Sequence, residues 1–177
     1  KKHIRAGNRS VRIRHGEYWA EFDGDFCDGA EPHDFIDQIE PLMDAGEVLK
    51  KGDGIYVSRI TWNNKDVIVK RYAHRGFIHS LRHTIKKSRA RKGWLFAHLL
   101  GELNIATPKS PAYIEQRKGL LVWESYLVTE FVEGQNLRHF LRNDKFADQQ
   151  KLDRIEQVVN LLYELWDPIC DILRRHD

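Results

Sequence analysis

From Val48 to Tyr72 the apolar residues recur with a period of two, and two turn-forming clusters interrupt them. Val48 and Leu49 lead into Lys51-Gly52-Asp53-Gly54. Ile55, Val57, Ile60 and Trp62 then alternate up to Asn63-Asn64-Lys65, and Asp66 to Tyr72 is a β-branched run. Alternation puts successive side chains on opposite faces, and Gly- and Asn-containing turns let a chain reverse within a few residues. The segment therefore reads as three consecutive antiparallel strands joined by tight turns. No other local pattern in the chain constrains the fold as strongly.

Around it, Val11 to Arg14 followed by His15-Gly16 and Tyr18 to Phe22 reads as a small hairpin. Asp34 to Ala45 reads as a short helix, with Phe35, Ile36, Ile39, Leu42 and Met43 on its apolar side. Pro41 weakens it and Gly46 stops it. After the strands, His74 to Lys87 reads as a basic helical stretch, and Ser88 as the N-cap of a helix reaching about Leu103. Its Trp94, Leu95, Ala97, Leu99 and Leu100 suit one broad buried face. Two strands follow, Ala112 to Glu115 and Leu120 to Val132, with Lys118-Gly119 turning between them. Beyond Gly134 the pattern is helical: Gln135 to Arg142, then Asp148 to about Arg175. There Leu152, Ile155, Val159, Leu162, Trp166, Ile169 and Leu173 form a seam that is read as a core face rather than a coiled coil, because Asp167-Pro168 interrupts it.

Composition narrows the class. With 177 residues, 41% hydrophobic and 31% charged, the chain buries a core, which excludes a disordered or collagen-like protein. Its apolar runs fall well short of the roughly 20 residues of a spanning helix. It starts without Met or a basic-then-apolar leader, and reads as a soluble protein with a trimmed or cleaved N-terminus. Cys27 and Cys170 suggest neither a disulfide framework nor a zinc site, in keeping with a reducing, cytosolic compartment. The net charge of +3 conceals segments: +6 over 1–16, −10 over 17–53, +10 over 54–101 and −3 thereafter. Val67 to Gly101 contains no acidic residue at all. Such a run fits a solvated face that pairs with 17–53, an anionic substrate or a lipid surface. Phe77, Trp94 and Phe96 are spaced for packing rather than base stacking, which argues against nucleic acid. His79 and His83 share helical spacing with His74 near by, but no Cys, Asp or Glu completes a ligand set, so no metal site is assigned.

The order of elements, with particular residues at their joints, resembles the protein-kinase-like fold, and more narrowly the bacterial lipopolysaccharide core kinases that phosphorylate Kdo or heptose. Val67-Ile68-Val69-Lys70 is similar to the kinase valine-alanine-isoleucine-lysine strand, and Lys70-Arg71-Tyr72 extends the likeness to the lipopolysaccharide kinases. The Gly52–Gly54 turn resembles a shortened glycine-rich lid, without GxGxxG. Ser88-Arg89-Ala90-Arg91-Lys92-Gly93-Trp94, closed by Thr107-Pro108, is the most family-specific stretch. Tyr126 to Gly134 resembles the interlobe hinge. The likeness spans roughly 48 to 145.

The resemblance implies an α+β, protein-kinase-like fold. It would have an antiparallel five-stranded N-lobe sheet with one αC-type helix, then the first helices of an incomplete helical C-lobe. The expected organisation is an N-terminal extension over 1–47, an N-lobe over 48–132, and a hinge exit and C-lobe start over 133–177. It implies ATP as cofactor: Lys70 on the α- and β-phosphates, Gly52 and Gly54 over them, and Val57 and Thr129 lining the pocket. Backbone groups of Glu130 to Val132 would hold adenine, and Asn136 the ribose. The αC acid of kinases is replaced by Gly93, and Glu102, about 13 Å further along a helix, is too distant to substitute. Neither H-x-D-x-x-x-x-N nor the following Asp motif is present, and the acceptor-side carboxylate and Mg2+ ligands are expected beyond Asp177. The implied activity is ATP-dependent phosphorylation of a Kdo or heptose hydroxyl, by a longer protein of which this chain alone is inactive. The implied partner is the anionic lipopolysaccharide core, with peripheral contact to the cytoplasmic face of the inner membrane. A pseudokinase or regulatory nucleotide-binding module, or an atypical protein kinase, is the alternative.

Overall fold

The computed structural model describes residues 10–26, 31–52, 54–73, 87–134, 137–142 and 148–161. They fall into two units, Lys1–Val132 and Glu133–Asp177.

The first unit is built on one antiparallel sheet of seven strands: β1 (Ser10–His15), β2 (Tyr18–Asp23), β3 (Glu47–Gly52), β4 (Ile55–Trp62), β5 (Lys65–Ala73), β6 (Ala112–Lys118) and β7 (Leu121–Glu130). Their order in the sheet is β1-β2-β6-β7-β5-β4-β3. The meander expected from the alternation is β3-β4-β5. Its β4–β5 turn carries Asn63 and Asn64 at φ 48° and 58°, the positive dihedrals that a two-residue hairpin turn requires and Asn tolerates.

The five-stranded sheet expected from the sequence is corrected to seven. The hairpin assigned to a separate extension is continuous with the sheet, because β2 pairs with β6 from Tyr18↔Gln116 to Phe22↔Ala112. Without it β6 would present an open edge; with it, Ala20 and Phe22 extend the same apolar face as Ala112 and Ile114. The edge at the other end, β3, is exposed along its length and carries Lys50 and Lys51, which discourage further pairing.

Helix α1 (Pro32–Ala45) begins two residues earlier than the sequence suggested, since Pro32 is suited to a first turn with no amide partner. Phe35, Ile36, Ile39 and Met43 bury one face of α1 against the sheet, while Pro41 lies on the exposed side. Gly46 does more than end this helix. A Cβ there would stand 2.5 Å from the Arg59 carbonyl oxygen and 2.6 Å from Ser58 Oγ, so the crossing into β3 is close enough to require glycine.

Helix α2 (Arg89–Glu102) is capped as the sequence indicated: Arg91 N–H donates to Ser88 Oγ at 3.0 Å. Its expected broad buried face is corrected. Ala90 and Trp94 are buried, Leu95, Ala97, Leu99 and Leu100 are only partly so, and Phe96 is exposed. The helix rests on the sheet along one line, against Tyr113 and Leu127. The expected helix over 74–87 lies almost wholly outside the described residues.

The second unit contains α3 (Leu137–Arg142) and a helix α4 over 148–161. Leu152, Ile155 and Val159 of the expected seam are exposed in it; Leu162, Trp166, Ile169 and Leu173 lie outside the described residues. Among the described residues no helix is long and apolar enough to cross a membrane.

Candidate nucleotide-binding face

Residues opposite each other in an antiparallel ladder point to the same side of the sheet. Following the register from Lys70 gives one row, Lys50–Val57–Lys70–Leu127–Tyr113–Glu21–Arg12. Tyr113 and Leu127 pack against α2, so this row lies on the α2 face. The row through Ile68 pairs it with Arg59 and Thr129 on the same face. Three residues assigned from the sequence, Val57, Lys70 and Thr129, are thus brought together. Ile68 and Leu127, which were not assigned, complete the patch, and their parity with Lys70 and Thr129 along the strands is the signal that would have found them. Val57, Ile68, Leu127 and Thr129 are all under a tenth exposed. They make an apolar floor around a half-buried ammonium.

Among the described residues Lys70 has no ion-pair or hydrogen-bond partner. At Gly93, the position the resemblance assigned to the αC acid, a Cβ would meet Leu127 Cδ2 at 2.8 Å, so a side chain there would require Leu127 to shift. The cations of the first turn of α2 lie over the same face, with the Arg89 guanidinium 6.0 Å from the Tyr72 ring and that of Arg91 5.8 Å from the Tyr113 ring. Two carboxylates on this face are buried, but each has its own cation. Arg12 Nε is 3.1 Å from Glu21 Oε2, and Arg117 bonds Glu115. The field beside Lys70 is therefore positive, which suits polyphosphate.

The remaining assigned residues separate. Gly52 and Gly54 have φ of 151° and 69°, and the Ala73 N–H donates to the Gly54 carbonyl at 3.0 Å. Their turn borders Ala73, three residues or about 10 Å along β5 from Lys70. The Glu130 side chain lies in the row of Val67, on the opposite face, where its Oε1 accepts from Lys109 N–H at 2.9 Å. At the end of β7 the Glu130 N–H donates to Lys109 O and the Phe131 N–H to Asp66 O, at 2.9 and 3.1 Å. Arg59 covers the Phe131 ring at 3.8 Å. Among the described residues the Val132 N–H makes no backbone hydrogen bond. Asn136 lies outside the described residues. Lys70-Arg71-Tyr72, a single motif in sequence, is divided by the sheet: Lys70 and Tyr72 face α2, whereas Arg71 faces α1 and bonds Glu40 at 2.5 Å.

The sequence model of the lipopolysaccharide kinase (Kdo/WaaP) family matches residues 46–167. No curated protein matches the chain. Among solved structures, "WaaP in complex with acyl carrier protein" aligns with a TM-score of 0.42 at 20% identity, over 67% of this chain and 42% of that one. The chain thus spans less than half the length of that relative.

Proposed function

Since the chain belongs to the lipopolysaccharide kinase (Kdo/WaaP) family, we propose that its full-length protein transfers the γ-phosphate of ATP to a hydroxyl of a lipopolysaccharide inner-core sugar, Kdo or heptose. The observation that carries this is Lys70, an ammonium without a partner among the described residues, set among Val57, Ile68, Leu127 and Thr129 on the cationic face of the sheet. Lys70 Nζ holds the α- and β-phosphates. The Val57–Ile68–Thr129 strip supports the adenine ring, and the Val132 N–H donates to its edge. In the transfer, the sugar oxygen forms a new P–O bond as the bond from γ-phosphorus to the β-γ bridging oxygen breaks. ADP leaves, and the hydroxyl proton passes to a carboxylate assigned, with the Mg2+ ligands, outside residues 1–177. The metal supplies charge neutralisation at the phosphates. The basic 70–92 segment is assigned to the anionic acceptor and to the cytoplasmic surface of the inner membrane.

A Lys70→Ala variant of the full-length protein is expected to lose phosphotransfer to purified core by on the order of a hundredfold or more. Undiminished transfer would remove the assignment. The lack of any acid from Val67 to Gly101 to pair with Lys70 favours a second reading, a nucleotide-binding module without catalysis. In that case the full-length protein binds ATP through Lys70 yet labels neither lipopolysaccharide core nor a protein acceptor.

A further inference from the structure

Behind Lys70, on the α1 face, one carboxylate joins the two strands that carry Lys70 and Leu127. Glu40 projects from α1 with Oε2 2.5 Å from Arg71 Nη1 on β5 and Oε1 2.5 Å from the Tyr126 hydroxyl on β7. The same hydroxyl lies 2.6 Å from Glu124 Oε2. Tyr126 is 1% exposed, and burial together with the two carboxylates raises its pKa, so it remains a donor. Its single proton can be donated to only one of Glu40 and Glu124 at a time, while the Arg71 cation balances Glu40 and lies 5.2 Å from the Tyr56 ring. Arg71 directly follows Lys70, and Tyr126 directly precedes Leu127, the neighbour of Lys70 in its row.

We infer that Glu40 is the positioning residue for Lys70, holding the lysine's strand from the far face of the sheet where kinases hold the lysine itself with an αC acid. Neighbouring residues on a strand point to opposite faces, so fixing Arg71 on one side fixes the tilt with which Lys70 leaves the other. From the α2 side Gly93 offers no side chain for this, and a Cβ there would have to displace Leu127 Cδ2, 2.8 Å away. Glu40 reaches Arg71 across 31 residues, and it joins the helix read from sequence as part of an extension to the candidate site. The motif Lys70-Arg71-Tyr72 thereby gains a division of labour, with Lys70 toward the ligand and Arg71 toward its anchor.

This inference rests on Lys70 holding phosphate, and a double-mutant cycle on the full-length protein separates the two. Glu40→Ala, Lys70→Ala and the double variant are compared for ATP affinity, for KM of ATP and of the sugar acceptor, and for thermal unfolding. Glu40→Ala is expected to weaken ATP about tenfold while Lys70 is present, leave the acceptor KM unchanged, and add nothing in the Lys70→Ala background. An equal loss in both backgrounds, or no loss with Lys70 intact, overturns the positioning role while leaving the assignment of Lys70 standing. If Lys70→Ala itself leaves ATP affinity unchanged, the functional reading falls and the inference falls with it. Should Glu40→Ala fail to fold, Glu40→Gln retains an acceptor for Tyr126 but removes the charge facing Arg71, and the same cycle is run with it.

Discussion

On the α1 face of the sheet, Ala20, Phe22, Ile60, Val67, Val69, Ala112, Ile114 and Val128 form one buried apolar surface beneath Phe35, Ile36, Ile39 and Met43. On the α2 face, alternate residues of the same strands include Glu21, Glu115, Arg59, Lys70 and Thr129, and only Ala90 and Trp94 of the covering helix are buried. One set of backbone hydrogen bonds thus supports two surfaces of unlike chemistry. Apolar burial is the main favourable term in folding, so the α1 face holds most of the unit's stability. A half-buried cation and buried carboxylates that are each offset by an arginine contribute less to that, which leaves the α2 face available for a ligand. The arrangement separates the residues that keep the unit folded from those assigned to ATP, and Glu40, Arg71 and Tyr126 link the two sides.

The contrast is most directly broken at Phe35, which is 1% exposed and meets Phe22, Phe26 and Trp62 with ring centroids 6.1, 5.4 and 5.0 Å away. Phe35→Ala is expected to cost about 3–5 kcal/mol in chemical denaturation, the usual penalty for emptying an aromatic site in a packed core. Lys70→Ala, on the other face, should leave the denaturation midpoint nearly unchanged. If the two variants were equally destabilised, the separation of stability from binding would be wrong.

High pH gives a smaller test that reaches both faces. Burial pushes Tyr113, on the α2 face, up to about 12 from an ordinary 10.0, and Tyr126, on the α1 face, is raised by burial and its two carboxylates. Above pH 10 the unfolded chain's phenols release protons that the folded chain retains. The unfolded state then binds fewer protons, and stability falls as pH rises. The stabilisation from protonated Tyr113 is therefore complete below about pH 10 and lost between about pH 10 and 12. Urea midpoints from pH 8 to 12 should decline over that window. Tyr113→Phe should make the decline shallower, and an unchanged slope in that variant would show that Tyr113 is not the group responsible.

What could be read from the sequence was local. Period-two alternation with Asn63-Asn64 fixes a hairpin because both the pairing and the turn involve near neighbours. Ser88 announces a cap because its hydroxyl needs only the amide three residues on. Lys70, Val57 and Thr129 were found through a family resemblance and share a face because parity along a strand carries that information. The pairing of β2 with β6 joins residues ninety or more positions apart, and nothing in Tyr18 to Asp23 specifies which strand will receive it. Gly46 reads as a helix stop, whereas its close approach to the Arg59 carbonyl is a property of the folded packing. Charge segmentation allowed pairing between the basic run and 17–53, but that Glu40 is the acid that meets Arg71 was not legible, because neither residue carries a local mark of the other.

The smallest expected effect lies on the ligand-facing side, at Ser88. Its hydroxyl accepts from Arg91 N–H at 3.0 Å, and the first turn of α2 carries no acid to offset the helix dipole. Ser88→Ala is expected to cost about 1 kcal/mol, as cap losses usually do. Because α2 is buried only at Ala90 and Trp94, that loss should be local. Amide exchange in residues 91–94 should accelerate by about fivefold, the factor corresponding to roughly 1 kcal/mol, while Ile36 and Ile39 in α1 keep their protection. Ser88→Asp restores an acceptor and places a negative charge at the positive end of the dipole, so it should return exchange to at least the native level. If Ser88→Ala instead accelerated exchange equally in both helices, α1 and α2 would open as one cooperative unit, and the two faces could not be tuned independently.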